Sequence, residues 1–135
     1  MWATTADLAK QEGVSMATIL CQIALIKYDA YKIGDVWRVW LNDDKFFADR
    51  DDVDMPSSLI EAIERELDDV ILLEDLAKFL KMSAQFFGSK RHIYAIPMHF
   101  IDMEGFSEPR LGMYRNDLIL WLNSVSNLNI DEDVI

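Results

Sequence analysis

The chain has 135 residues, enough for one compact domain or two very small ones, and too few for most enzymes built on a large cofactor-binding sheet. About half of the residues are apolar and 11% are aromatic, which excludes a disordered chain. The formal net charge of -11 disfavours a general affinity for nucleic acid or for an anionic membrane.

Other features of the whole sequence bear on its compartment. No apolar run approaches the roughly 20 residues that cross a bilayer, and the first residues lack a basic region followed by an apolar core. The single cysteine, Cys21, allows no internal disulfide and suits a reducing environment. We therefore expect a soluble cytoplasmic protein with no membrane contact.

The acidic charge is unevenly distributed along the chain. Residues 1–52 carry a net charge of -3, residues 53–72 carry -5, residues 73–127 are balanced, and residues 128–135 carry -3. The balanced segment can therefore hold a basic surface although the chain as a whole is acidic.

The first 24 residues predict two short helices joined by a tight turn. Leu8 lies on the buried side of the first helix, and Gly13 supplies the left-handed residue of the turn. Ser15 is placed to cap the second helix, whose inward residues Ile19 and Ile23 stand four positions apart.

The same pattern returns 68 residues later in the chain. Asp7-Leu8-Ala9-Lys10 recurs as Asp75-Leu76-Ala77-Lys78 without a gap. Further along, Arg38 aligns with Arg110 after a short insertion in the second copy. The sequence therefore predicts an internal repeat.

Each copy continues into a predicted hairpin and a closing helix. Short alternating stretches at 31–41 and 96–114, with glycines or proline at the turns, predict the hairpins. Residues 43–48 and 116–122 predict the closing helices, each led by a residue that can cap it.

The segment between the copies predicts an amphipathic helix. Its apolar residues at helical spacing are Leu59, Ile60, Ile63, Leu67, Val70 and Ile71. Ser58 and Glu61 form a possible capping box. The predicted parts are a first repeat at 1–52, an acidic helical connector at 53–72, a second repeat at 73–127 and an acidic tail at 128–135.

The two copies resemble the winged helix-turn-helix of phage excisionases, MerR-type modules and, in the second copy, the AlpA-type branch. The residues that carry the resemblance are Thr5 to Lys10, Gly13 to Ser15 and Trp37 to Val39 in the first copy, and Asp75 to Ala77, Ser83 and Tyr114 to Leu122 in the second. The resemblance implies a mainly α fold with small β-wings (α+β), made of two winged helix-turn-helix repeats joined by an amphipathic helix. It also implies a DNA-binding ancestry in transcription regulation or in the excision of mobile elements.

The second copy holds the residues that we expect to contact double-stranded DNA. They are Gln85, Ser89, Lys90, Arg91 and His92 on or just after its second helix, and Arg110 and Arg115 in or beside its hairpin. If about four cations contact phosphate, the logarithm of affinity falls with the logarithm of salt concentration with a slope of roughly -3 to -4. In the alternative interpretation, Lys90, Arg91 and His92 only complement the helix dipole, and Arg38 and Arg110 pair with wing or helix carboxylates.

The corresponding positions of the first copy are Met16, Ala17, Leu20 and Cys21. This apolar set offers no bidentate hydrogen-bond donor to a base, so it suits packing against protein better than reading DNA. We expect the first repeat and the connector at 53–72 to form a protein interface, with these residues in it, to a second copy of the chain or to a host protein.

No motif predicts catalysis, a cofactor or a metal site. The sequence has no phosphate-binding loop and no nucleophile elbow, and His92 and His99 have no second cysteine nearby to complete a zinc site. The acidic run at 49–54 lacks the glycine and the terminal glutamate of a calcium loop. We therefore expect a protein that is not an enzyme.

Two other functions stay open at this stage. The chain can be an acidic protein-binding or DNA-mimic protein that inhibits a host nucleic-acid-binding protein, or a structural assembly protein. The carboxylates that would imitate phosphates are Asp49, Asp51, Asp52, Asp54, Glu61, Glu64, Asp68 and Asp69.

Overall fold

A computed structural model describes residues 1–41 and 56–128 of the chain. Within these ranges the chain forms six helices and two three-stranded antiparallel sheets, with 46% of residues in helices and 22% in strands. The chain divides into two compact units. Unit 1 consists of Met1–Ile60 with Leu122–Ile135, and unit 2 consists of Glu61–Trp121.

Unit 1 begins with a strand, two helices and a hairpin. The elements are β1 (Trp2–Thr4), α1 (Thr5–Glu12), α2 (Met16–Ala24), β2 (Asp29–Ile33) and β3 (Val36–Trp40). The strand order of its sheet is β1-β3-β2, so the first strand pairs with the second strand of the hairpin.

The start of unit 1 is held by caps and by a small apolar core. Thr4 ends β1 and caps α1, because its side chain accepts a hydrogen bond from the backbone N–H of Asp7, whose carboxylate accepts from Thr4 in return. The predicted cap Ser15 is confirmed, since its hydroxyl accepts from the N–H of Thr18. The buried residues that pack together are Ala3, Leu8, Ala9, Ile19, Ile23, Ala30 and Val39.

A segment from the far end of the chain covers the outer edge of β2. Val125 accepts a hydrogen bond from the N–H of Lys32, and the N–H of Asn127 donates to the carbonyl of Ala30. The buried side chain of Asn127 also donates to the carbonyls of Ile23 and Tyr28, at 3.0 Å and 2.9 Å. An edge strand that would otherwise expose its backbone is therefore paired.

Unit 2 contains the same order of strand, two helices and hairpin. Its elements are β4 (Val70–Leu72), α4 (Leu73–Leu80), α5 (Ala84–Lys90), β5 (His99–Ile101) and β6 (Arg110–Tyr114). Its strand order is β4-β6-β5. Two further helices, α3 (Ser57–Glu66) and α6 (Arg115–Ser124), contain the points at which the chain passes from one unit to the other.

The left-handed turn between the first two helices occurs in both units. Gly13 has φ 68° and Lys81 has φ 57°, and the N–H of each donates to two carbonyls at the end of the preceding helix. A lysine therefore occupies a backbone conformation that favours glycine, 68 positions after the glycine itself.

The strand registers correct the alignment of the two hairpins. Trp2 pairs with Trp40 in unit 1, and Val70, 68 positions after Trp2, pairs with Tyr114 in unit 2. The second strands are therefore offset by 74 positions, whereas the predicted alignment of Arg38 with Arg110 gives 72. Arg38 then corresponds to Gly112, so its predicted match with Arg110 is wrong.

The predicted fold class is also wrong. The described chain is α+β, with a three-stranded sheet in each unit in place of small wings on a mainly α fold, and winged helix-turn-helix repeats are not shown. The predicted hairpins are each completed by a third strand, β1 or β4, that precedes the helices. These strands have only three residues, too few for an alternating pattern to identify them from sequence.

The predicted connector helix is shorter than its apolar pattern indicated. The helix α3 ends at Glu66, and Val70–Leu72 form β4, which pairs with β6. Consecutive aspartates at 68 and 69 separate the two elements, and the β-branched residues that follow suit a strand. The predicted closing helix at 43–48 and the acidic run at 49–54 lie outside the described residues.

The left-handed turn makes Lys81→Gly a stabilising substitution. Glycine relieves the strain at a positive φ, so we expect the free energy of unfolding to rise by about 0.5–1 kcal/mol. The reciprocal change Gly13→Lys places the strain in unit 1 and lowers stability by a similar amount. Urea unfolding of both variants measures these changes. If both substitutions stabilise the chain, or both destabilise it, the strain is not at the residue with positive φ.

Asn127 is expected to be required for the stability of unit 1. Asn127→Ala leaves the buried carbonyl of Ile23 and the part-buried carbonyl of Tyr28 without this donor, which costs about 2–3 kcal/mol of unfolding free energy. The exposed Asn116 is the matched control, and Asn116→Ala changes stability by less than about 0.5 kcal/mol. Chemical denaturation compares the two variants, and similar midpoints contradict the role of Asn127.

Candidate functional site

Five of the predicted DNA-contacting residues lie together along α5 and the turn that follows it. We name Gln85, Ser89, Lys90, Arg91 and His92 together the α5 strip. The N-cap of the helix is Ser83, whose hydroxyl accepts from the N–H of Phe86, and Phe87 is completely buried. Gln85 and Ser89 lie on the side of the helix away from Phe87, whereas Lys90 and Arg91 follow Phe87 by three and four positions, at the end of the same side.

The side chains of the α5 strip differ in how firmly they are held. Gln85, Lys90 and His92 are exposed, and the exposed Ser89 hydroxyl donates to the carbonyl of Gln85 at 2.7 Å. Arg91 is half-buried and donates to the carbonyl of Gly88. Lys90 therefore presents its charge to solvent, whereas a hydrogen bond holds the Arg91 guanidinium in place.

An exposed aromatic ring lies beside Arg91. The guanidinium carbon of Arg91 is 5.8 Å from the centre of the Phe100 ring, within the range of a cation–π contact. Phe100 belongs to β5 and is 63% exposed. Sequence reasoning did not select Phe100, because only the fold brings this strand to the end of α5.

The other two predicted DNA contacts form ion pairs at the ends of the β4–β6 pairing. Arg115 donates to a carboxylate oxygen of Asp69 at 2.8 Å and to the carbonyl of Leu67 at 3.0 Å. Arg110 lies 3.3 Å from a carboxylate oxygen of Glu74. Val70 pairs with Tyr114 in the antiparallel register of β4 and β6. If this register is extended beyond the strands, Asp69 lies opposite Arg115 and Glu74 lies opposite Arg110. Both arginines therefore have ion-pair partners within unit 2, as the structural alternative proposed for Arg110.

The Arg110 guanidinium has a second contact within unit 2. Its central carbon lies 4.7 Å from the centre of the Phe106 ring in the loop between β5 and β6. An ion pair on one side and an aromatic ring beside it hold this side chain in place. The structure thus separates the seven predicted residues into the α5 strip and two arginines with partners of their own.

The four predicted interface residues of unit 1 all lie on the exposed side of α2. Met16, Ala17, Leu20 and Cys21 face solvent, while Ile19 and Ile23 are buried. The exposed fractions are 48% for Met16 and 42% for Leu20.

The exposed side of α2 extends further than predicted. Ala24 and the C-cap residue Leu25 are also exposed, Leu25 to 62%. Continuing the helical spacing from Leu20 and Cys21 by four residues identifies both. We name the set Met16, Ala17, Leu20, Cys21, Ala24 and Leu25 the α2 face.

Arg38 belongs to the interior of unit 1 rather than to a cationic surface. It lies on β3 and is half-buried. Burial lowers the pKa of the Arg38 guanidinium, and the negative charge of Asp7 opposes that shift. Its side chain donates to the carbonyl of Trp37 at 3.2 Å.

The described residues show few other chemical groups gathered at one place. In residues 1–41 and 56–128, no three histidine, cysteine or acidic side chains are grouped to hold a metal ion. No helix in these ranges has the length and apolar character needed to span a membrane. Of the proposed phosphate-mimicking carboxylates, Glu61, Glu64, Asp68 and Asp69 are exposed, and the four from Asp49 to Asp54 lie outside the described residues.

Comparison with known protein families, curated protein sequences and solved structures finds no match to this chain. The resemblance of the two copies to excisionase, MerR and AlpA modules therefore stays a prediction.

The different roles of Arg115 and Lys90 predict losses of stability of different size. Arg115→Gln removes the ion pair to Asp69 and weakens the donation to Leu67, so we expect a loss of about 1–2 kcal/mol of unfolding free energy. Lys90→Gln changes an exposed side chain and costs less than about 0.5 kcal/mol. Thermal and urea unfolding test both, and equal losses contradict the separation of roles.

Proposed function

We propose that the chain is a small DNA-binding regulator that contacts double-stranded DNA through the α5 strip and protein through the α2 face. The observation that carries the proposal is the set of polar and cationic side chains on and just after α5, of which Gln85, Ser89, Lys90 and His92 are exposed and Arg91 is half-buried. A regulator needs cations that attract phosphate and neutral donors that contact bases, and the strip contains both.

The members of the strip suit different parts of a DNA duplex. Lys90 and Arg91 carry permanent charges and suit the phosphate backbone. The Gln85 amide can donate and accept at once, as a bidentate contact to adenine requires. The Ser89 hydroxyl donates to the helix but keeps acceptor capacity for a base or a water.

The ion pairs of Arg110 and Arg115 lower the expected salt dependence. With both arginines engaged by carboxylates, two permanent cations remain in the strip. The logarithm of affinity should then fall with the logarithm of salt concentration with a slope of about -2 for each bound copy, shallower than the sequence alone predicted. Since the whole chain carries -11, binding should be weak on unrelated DNA.

A second function has support from exposed carboxylates in the described part of unit 2. Glu61 and Glu64 lie one helical turn apart on α3, and Asp68 follows close behind. Such a row suits an acidic protein that occupies the nucleic-acid site of a basic host protein. This alternative requires no DNA binding by the α5 strip.

The DNA-binding proposal predicts a large effect of Lys90→Glu. Fluorescence anisotropy with labelled duplexes from the gene's own locus, at about 50 mM and 200 mM salt, should show saturable binding by the parent chain. We expect Lys90→Glu to weaken it at least tenfold, because the change reverses a charge at the proposed contact.

The matched control is Lys10→Glu, which makes the same charge change on α1 of unit 1 and should leave DNA affinity within about twofold. Equal weakening by both variants identifies a general charge effect and contradicts the α5 strip as the contact. Absence of binding at either salt, together with stoichiometric binding of a purified basic host protein, favours the acidic protein-binding function instead.

A further inference from the structure

Unit 2 contains two arginine–phenylalanine pairs in opposite electrostatic surroundings. The guanidinium carbon of Arg91 lies 5.8 Å from the centre of the Phe100 ring, and that of Arg110 lies 4.7 Å from the centre of the Phe106 ring. The first pair belongs to a stretch, residues 76–101, that holds four lysines or arginines, two histidines and no acidic residue. Phe106 lies in the loop between β5 and β6, which contains three acidic residues. Of the two pairs, the first therefore has the surroundings that attract a polyanion.

The fold presents the Phe100 ring at the edge of the unit 2 sheet. The strand β5 is an outer strand of the order β4-β6-β5, and Phe100 pairs with Leu111 of β6. Because side chains alternate along a strand, Phe100 is on the same face of the sheet as Leu111 and the buried Met113. At the outer strand this face is only partly covered, and 63% of Phe100 stays exposed.

Contacts within α5 and the turn that follows it hold Arg91 beside this ring. The Arg91 side chain donates to the carbonyl of Gly88, and the Arg91 carbonyl accepts from the N–H of Ile96 at 2.9 Å. The ring of Tyr94 stacks on that of Phe86 with centres 5.9 Å apart, which joins the turn to the helix. A cation that is already held in place loses less conformational freedom when a ligand binds to it.

An exposed aromatic ring beside a positioned guanidinium suits a nucleic-acid base that is not paired. A base of any identity can stack on an aromatic face, and the arginine adds a cation–π attraction and a contact for phosphate. In a continuous duplex the neighbouring base pairs already cover both faces of each base. The ring therefore gains a stacking partner where a base is unpaired or displaced from the stack.

We propose that Phe100 and Arg91 form a stacking site for an unpaired base, so that the α5 strip binds most tightly to a DNA duplex that contains one. The proposal rests on the DNA contact of the proposed function and names the DNA structure that this contact prefers. In the complex the base lies against the exposed face of Phe100, while Arg91 and Lys90 contact the flanking phosphates.

Two labelled duplexes that differ by a single base isolate the stacking. Both carry one unpaired nucleotide at the centre, which is adenine in one duplex and abasic in the other, so that the backbone is the same in both. Fluorescence anisotropy at about 100 mM salt should show the full chain binding the adenine duplex at least about fivefold more tightly than the abasic duplex. A fully paired duplex of the same sequence should bind no more tightly than the abasic duplex.

The decisive variant is Phe100→Leu, which keeps an apolar side chain in β5 and removes the aromatic face. The preference for the adenine duplex should fall below about twofold in Phe100→Leu, whereas Phe100→Tyr should keep it. The matched control is Phe106→Leu, the same change in the arginine–phenylalanine pair of the acidic loop, which should keep the preference of the parent. Since Phe100 and Phe106 are both exposed, the variants should stay folded, which circular dichroism checks.

The outcomes separate this inference from the DNA-binding proposal. Equal affinity for the three duplexes, weakened by Lys90→Glu but not by Phe100→Leu, overturns the stacking site and keeps the proposed function. A preference for the adenine duplex that survives in Phe100→Leu, or that Phe106→Leu removes as strongly, overturns the assignment to Phe100 and Arg91. Absence of binding to any of the three duplexes overturns both proposals.

Discussion

Each unit depends on a junction where a short strand passes directly into a helix. Thr4 is both the last residue of β1 and the cap of α1, and Leu72 has the same two positions at β4 and α4. Because each strand also pairs with the second strand of its hairpin, the junction connects the two helices to the sheet without a loop. The inward residues of α2 and α5 then determine which side of each helix faces solvent.

The elements that the sequence predicted well are those whose signals act within a few residues. Ser15 and Ser83 accept hydrogen bonds from backbone groups three positions away, and the Gly13 turn closes onto the preceding helix. The sequence did not reveal β4, because three consecutive apolar residues fit the end of a helical pattern as well as they fit a strand. Its pairing with β6 joins residues at least 40 positions apart, which no local pattern indicates.

The same limit explains the mixed outcome for the predicted cations. Lys90, Arg91 and His92 are neighbours in sequence, so their proximity required no knowledge of the fold. The ion pairs of Arg110 and Arg115 depend on the register between β4 and β6, because Glu74 and Asp69 lie on either side of β4. The strand register thus decides which carboxylates these two arginines meet, and because the carboxylates are exposed the ion pairs are of modest strength.

The net charge of the chain limits the proposed DNA contact. With two permanent cations in the α5 strip and -11 overall, one copy has little long-range attraction to DNA. The proposed contact therefore depends on short-range interactions of Gln85, Ser89 and Lys90 with a duplex rather than on the electrostatic field of the whole chain.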